Sequence, residues 1–260
     1  MSSVALALLW TARLTALALV LQTVELLLLR RSYSDQGVFR WSVLRAEHAE
    51  LPVPLRWLFG LLLPYDRFVA LLFVRIPLAA ALGMGQLWAA PLLLVSHLAI
   101  CARFRGTFNG GSDYMTSVLL LSLTVAACAT SPLATKAALA YITVQLVLSY
   151  FVAGLVKLRH AKWRNGEALI ALLGSARFRA SSGMVRLLNR PGVARIVALS
   201  LLTFECAFPL ALTGARPAAI FLTLGAGFHL VNARALGLNR FFFAWISAYP
   251  ALFYFAQALS

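Results

Sequence analysis

The feature that most constrains this chain is a succession of apolar stretches, each close to the length of a membrane-crossing helix, separated by arginine-bearing segments. They fall at residues 4–29, 68–83, 87–102, 114–130, 137–157, 193–213, 218–232 and 241–259. About 20 helical residues cross the ~30 Å hydrocarbon core of a bilayer. With no water there, the backbone must satisfy its own hydrogen bonds, which a helix does within one segment. Of the 260 residues, 62% are hydrophobic and 12% charged, whereas soluble domains run near half and a quarter. The expected fold class is an all-α, polytopic helical membrane protein with about eight transmembrane helices plus interfacial amphipathic helices.

A net charge of +15 would suggest nucleic acid in a soluble protein, but the placement of the charges points to the membrane. The loops after the first, third, fifth and seventh stretches hold 6, 2, 8 and 2 Lys/Arg, with Arg195 at the start of the sixth stretch counted in the third of these, and the alternate loops and termini only Lys136 and Arg216. By the positive-inside rule both termini are expected outside and the basic loops, including 159–195, in the cytoplasm of a bacterial cytoplasmic membrane. The lipid bilayer is the expected partner, and no nucleic acid is. Residues 30–64 alternate arginines with aromatics and are broken by Pro52 and Pro54, which reads as one or two helices lying on the membrane surface. Residues 167–173 and 184–188 carry the same signature. The first stretch is longer than a signal-peptide core and lacks a basic leader, so no cleavable signal is expected. Cys101, Cys128 and Cys206 are far apart, and no second histidine lies three or four residues from His97 or His229. No metal is expected on these spacings.

Ionisable residues inside apolar helices cost a few kcal/mol at the bilayer centre on insertion scales. This chain keeps Arg13, Glu25, Arg75, His97, Lys157, Glu205 and His229. One reading is internal pairing, with Arg13 or Arg75 against Glu25 or Glu205, holding helices together. His229 and Asn232, in FHLVN, stand three apart on one helix face and could orient a carbonyl or quinone oxygen. Lys157 ends the fifth stretch with Trp163 just beyond. It is either a lysine snorkelling to the interface beside a tryptophan anchor, or an amine whose lost hydration favours the uncharged, basic form.

A family resemblance bears on that choice. YFVAGLVKL at 150–158, followed by Trp163 and Gly166, resembles the corresponding stretch of the HTTM-domain proteins and vitamin K-dependent gamma-carboxylases. FVRIPLAAALG around Arg75, LLTFECAF around Glu205, FHLVN at 228–232 and YPALF at 249–253 follow in similar order, so the resemblance covers roughly 65–255. It implies a gamma-carboxylase-like transmembrane domain over 67–260, preceded at 1–66 by one helix and a basic interfacial segment. It further implies a pocket between the fifth, sixth and seventh helices, with Lys157 as base toward a reduced quinone of the vitamin K type. Glu205 would hold a proton or pair with Arg75, and His229 and Asn232 would orient the ring. Arg75, Trp163, Tyr150 and His97 join the candidate substrate- or cofactor-binding groups. A peptide or protein substrate and a membrane or soluble partner are implied as well. One departure is NGGSDY at 109–114, where Gly111 stands in place of the family's histidine. The alternative is a non-enzymatic partner protein similar to DoxX or MauE, which also carry a Gly-x-x-Lys-Leu helix end.

Overall fold

Hydropathy places the helices of this protein, while prolines, glycines and charges set their ends. The computed structural model describes residues 3–104, 110–175 and 181–258, and every regular element among them is helical. Two compact units divide between Ala138 and Leu139, with the first residues of the chain belonging to the second unit.

The unit of residues 8–138 holds most of α1 (Ser3–Leu28), α2 (Trp41–Leu44), α3 (Val53–Leu62), α4 (Tyr65–Gly83), α5 (Ala89–Arg103) and α6 (Gly110–Cys128), with short 3-10 turns at Arg30–Tyr33 and Arg45–His48. Its core joins α1, α4, α5 and α6 through small residues, among them Ala12, Ala16, Ala79 and Ala89, around Leu19, Leu82, Leu93 and Leu120. Small side chains let membrane helices approach closely where no hydrophobic force drives them together. A second cluster wraps the buried Arg103 in aromatic rings. Its guanidinium lies 4.9 Å from the Phe68 centroid and donates to the carbonyls of Leu63 and Tyr33, the latter at 2.8 Å. Arg75 is also fully buried, donating to Gln22 Oε1 at 2.6 Å and Ser96 Oγ at 3.3 Å.

The other unit holds α7 (Pro132–Arg159) from Leu139 onward, α8 (Ala161–Arg164), α9 (Glu167–Gly174), α10 (Ser182–Leu188), α11 (Val193–Ala207), a 3-10 helix at Phe208–Thr213, α12 (Ala215–Leu236) and α13 (Asn239–Ala258). The surface helices α9 and α10 close on the start of α11 through Leu169, Leu188 and Ala194. Gly166 makes this turn possible. Its φ is +88°, and an added Cβ would sit 2.5 Å from the Ala194 carbonyl carbon, so both the conformation and the space require glycine.

Among the described residues six helices are long and apolar enough to cross a membrane, or seven if the pair α3–α4, bent by 76°, forms one broken span. This corrects the expectation of about eight. The helix α4 carries Asp66, Arg67 and Arg75 and qualifies only with α3, while α5 has 15 residues, about 22 Å of helix against a ~30 Å core. In α3 no residue is buried, and Trp57 is 71% exposed. Ser112 and Asp113, each a good capping residue by type, lie inside the first turn of α6 and not ahead of it. Residues 105–109 fall outside the described residues, as do 176–180 within the basic segment.

Candidate functional site

On α7, Tyr150, Gly154 and Lys157 recur at intervals of four and three and so share one helix face. At Gly154 the helix α11 comes into close contact. A Cβ there would lie 2.9 Å from Cys206 N, Cys206 Sγ and Glu205 Cβ. That approach brings the Lys157 ammonium onto Glu205 Oε1 as an ion pair, with Glu205 2% and Lys157 20% exposed. The Trp163 ring lies 5.4 Å from Lys157 Nζ, within cation–π range. Trp163, read from the sequence as lying just beyond the lysine, is thus in contact with it.

Pro209 shapes the end of α11. In a continuing helix its amide would donate to the Glu205 carbonyl, four residues back, but proline has no N–H and its ring clashes there. The Phe208 amide takes that carbonyl instead, and the chain tightens into the 3-10 helix. The change to a 3-10 helix thus falls one turn beyond Glu205.

Two turns before Lys157, Tyr150 is 3% exposed and stacks on Phe208, with centroids 3.9 Å apart. Its hydroxyl shares hydrogen bonds with His229 Nε2 at 2.7 Å and with Tyr249 Oη at 3.1 Å. Gly225, one turn before His229 on α12, makes the space for them. An added Cβ would fall 2.7 Å from the Tyr249 hydroxyl and 2.9 Å from that of Tyr150. Trp245 of α13 packs 5.3 Å from the His229 ring and donates its indole N–H to Ser149 Oγ at 3.2 Å. Two buried atoms of this cluster, Glu205 Oε2 and His229 Nδ1, have no hydrogen-bond partner among the described residues. Phe204, whose ring meets Tyr150 edge-on at 5.5 Å, also lines an apolar groove of about 580 Å³ between α11 and α12, with Leu199, Thr203, Phe221 and Leu224.

Lys157, Glu205, Tyr150, His229 and Trp163 thus come together in one unit. Asn232 follows His229 on α12, half-buried, and its carbonyl receives the Gly237 amide where the helix ends. Arg75 and His97 belong to the unit of residues 8–138. Arg75 bonds Gln22 and Ser96, and Glu205 is paired with Lys157 instead. Trp245 and Gly225 were not singled out from the sequence, and Gly154 and Tyr249 stood only as letters of quoted motifs. The Tyr249 hydroxyl meets Tyr150 across 99 residues, and the YPALF motif was noticed for its order in the chain alone.

The fold and this cluster define an all-α integral membrane protein with a paired lysine and glutamate beside a tyrosine–histidine cluster. More narrowly, the chain belongs to the HTTM domain family, the domain of vitamin K-dependent gamma-carboxylase-like proteins, whose profile matches residues 125–257. That stretch contains the whole cluster and leaves Arg75 and His97 outside. No curated protein and no solved structure matches the chain.

Proposed function

We propose that this protein is a membrane enzyme of the gamma-carboxylase-like type that uses Lys157 as a base toward a reduced quinone. The observation that carries the reading is the Lys157–Glu205 pair, held on the same helix face as Tyr150 and its partner His229, within the family-matched residues. The residues fit a quinol. Glu205 Oε2 and His229 Nδ1 are buried polar atoms that a bound hydroxyl or carbonyl could satisfy, and the groove beside Phe204 suits an apolar tail.

A bound quinol supplies an acidic hydroxyl and, on reaction with oxygen, a base strong enough to take a proton from carbon. The chain's part is to hold and move protons at defined atoms. Within the pair, one proton can pass from Lys157 Nζ to Glu205, converting two charges into a neutral amine and a neutral acid. Low-dielectric surroundings penalise separated charges and so lessen the cost of that exchange. The amine then accepts a proton at Nζ, and the Trp163 ring stabilises the ammonium that results. His229, held by Tyr150, orients an oxygen and stabilises charge developing on it. Trp245 and Phe208 exclude water from this contact.

The test is Lys157→Arg in protein reconstituted in lipid nanodiscs, with oxygen uptake measured on adding a reduced isoprenoid naphthoquinone. Arginine keeps the charge and can still pair with Glu205, but it does not give up its proton. Activity should fall at least a hundredfold while thermal stability stays near wild type. Full activity in Lys157→Arg would overturn the assignment of Lys157. A wild-type protein with no quinol-dependent oxygen uptake would favour the non-enzymatic, DoxX- or MauE-like partner reading, in which the ion pair only fastens α7 to α11.

A further inference from the structure

Outside this cluster, three metal-binding side chains meet in the unit of residues 8–138. His97 and Cys101 stand one turn apart on α5, and Asp113 lies in the first turn of α6 against them. A ring nitrogen of His97, Cys101 Sγ and a carboxylate oxygen of Asp113 all lie within 4.8 Å of one another. His97 is fully buried, and the other two are half-buried. Cys101 Sγ is 3.5 Å from His97 Nε2, which also meets the Asp113 backbone carbonyl at 3.0 Å. A tetrahedral zinc ion, with bonds of about 2.3 Å to sulfur and about 2.05 Å to nitrogen, sets those two atoms roughly 3.6 Å apart. The spacing thus suits such an edge, although without an ion Nε2 carries the proton it donates to the Asp113 carbonyl, and a metal bound there takes the place of that proton.

We propose that His97, Cys101 and Asp113 form a three-ligand site for a zinc-class divalent cation, with the fourth position open to water or a ligand. The donor set selects the class. Imidazole and thiolate suit zinc over magnesium or calcium, which prefer oxygen alone. Charge also fits, because a thiolate and a carboxylate neutralise a divalent ion and leave no net charge beside apolar helices. The ligands bracket residues 104–109, so the ion fastens the end of α5 to the start of α6. Neither a second histidine nor a Cys-x-x-Cys pair marks the trio in the sequence. The His-x-x-x-Cys spacing does, because it sets both donors on one helix face.

The test uses full-length protein in detergent, stripped with a chelator and titrated with Co²⁺. A near-ultraviolet thiolate-to-cobalt charge-transfer band should grow to saturation at one ion per chain and collapse when Zn²⁺ is added. Cys101→Ser should abolish it, and the double variant Cys128→Ser, Cys206→Ser should keep it. Asp113→Asn, which preserves shape if Cys101→Ser fails to fold, should weaken cobalt binding at least tenfold. The proposal is overturned if the wild type shows no band, if the band survives Cys101→Ser, or if Asp113→Asn binds cobalt as tightly as the wild type. In those cases the trio is a hydrogen-bonded contact between two helices.

Discussion

The close approach of α7 and α11 at Gly154 can be tested by a single methyl group. A Cβ at that position would meet Cys206 N, Cys206 Sγ and Glu205 Cβ at 2.9 Å. Non-bonded heavy atoms settle at about 3.5–4.0 Å, so the helices must part by roughly 0.6–1 Å in Gly154→Ala. Two opposing terms decide the outcome. Replacing a mid-helix glycine by alanine gains about 0.8–1 kcal/mol of helix propensity. Overpacking against backbone and a buried carboxylate stem costs about 1–3 kcal/mol. The control is Gly227→Ala on α12, where nothing lies within 4 Å of the added Cβ and the propensity gain stands alone. The two variants should therefore differ by about 1–3 kcal/mol, which at about 2–4 °C per kcal/mol is a gap of several degrees in Tm. Gly227→Ala should melt above wild type and Gly154→Ala below Gly227→Ala, as read by thermal unfolding in one detergent. Equal melting of the two variants, or a higher Tm for Gly154→Ala, would refute the packing on which the Lys157–Glu205 pair depends.

Other outcomes follow from the same geometry. Tyr150→Phe keeps the stack on Phe208 but strips a partner from His229 and Tyr249; it should cost about 1–3 kcal/mol and, in the oxygen-uptake assay, lower activity at least tenfold. Arg75→Leu leaves Gln22 Oε1 buried without its donor and should cost about 1–3 kcal/mol in thermal unfolding, with Gln22→Leu in the same protein recovering part of the loss. A reporter fused after Gly174 should score as cytoplasmic, as the arginine bias of the loops requires; a periplasmic signal would reverse the orientation.

The helices were legible in the sequence because burial in hydrocarbon is written in long apolar runs. Lys157, Glu205 and His229 were legible for the converse reason, since ionisable groups in such runs stand out against their surroundings. The shortfall in spans has a local cause. Residues 87–102 read as membrane-crossing by hydropathy alone, yet the helix formed there has only 15 residues, and apolar character does not mark where a helix begins. Tyr150 was noticed only through a motif. Its partners His229 and Tyr249 lie 79 and 99 residues away, and tyrosine is common enough near membranes that no composition signal marks such a pairing. Gly154 was hidden in the same way, because a glycine required by an approaching helix looks in sequence like any other.

The Lys157–Glu205 pair also bears on how the chain is made. Its two members are 48 residues apart, on helices that leave the ribosome one after the other. Until α11 emerges, α7 carries a lysine with no counter-charge, and insertion scales set a lone lysine at up to about 3 kcal/mol against entry at mid-helix, less near an end. The spans α7 and α11 are thus expected to be retained at the insertion machinery and released into lipid together. Glu205→Ala should then lower the yield of inserted protein even where the finished fold tolerates it.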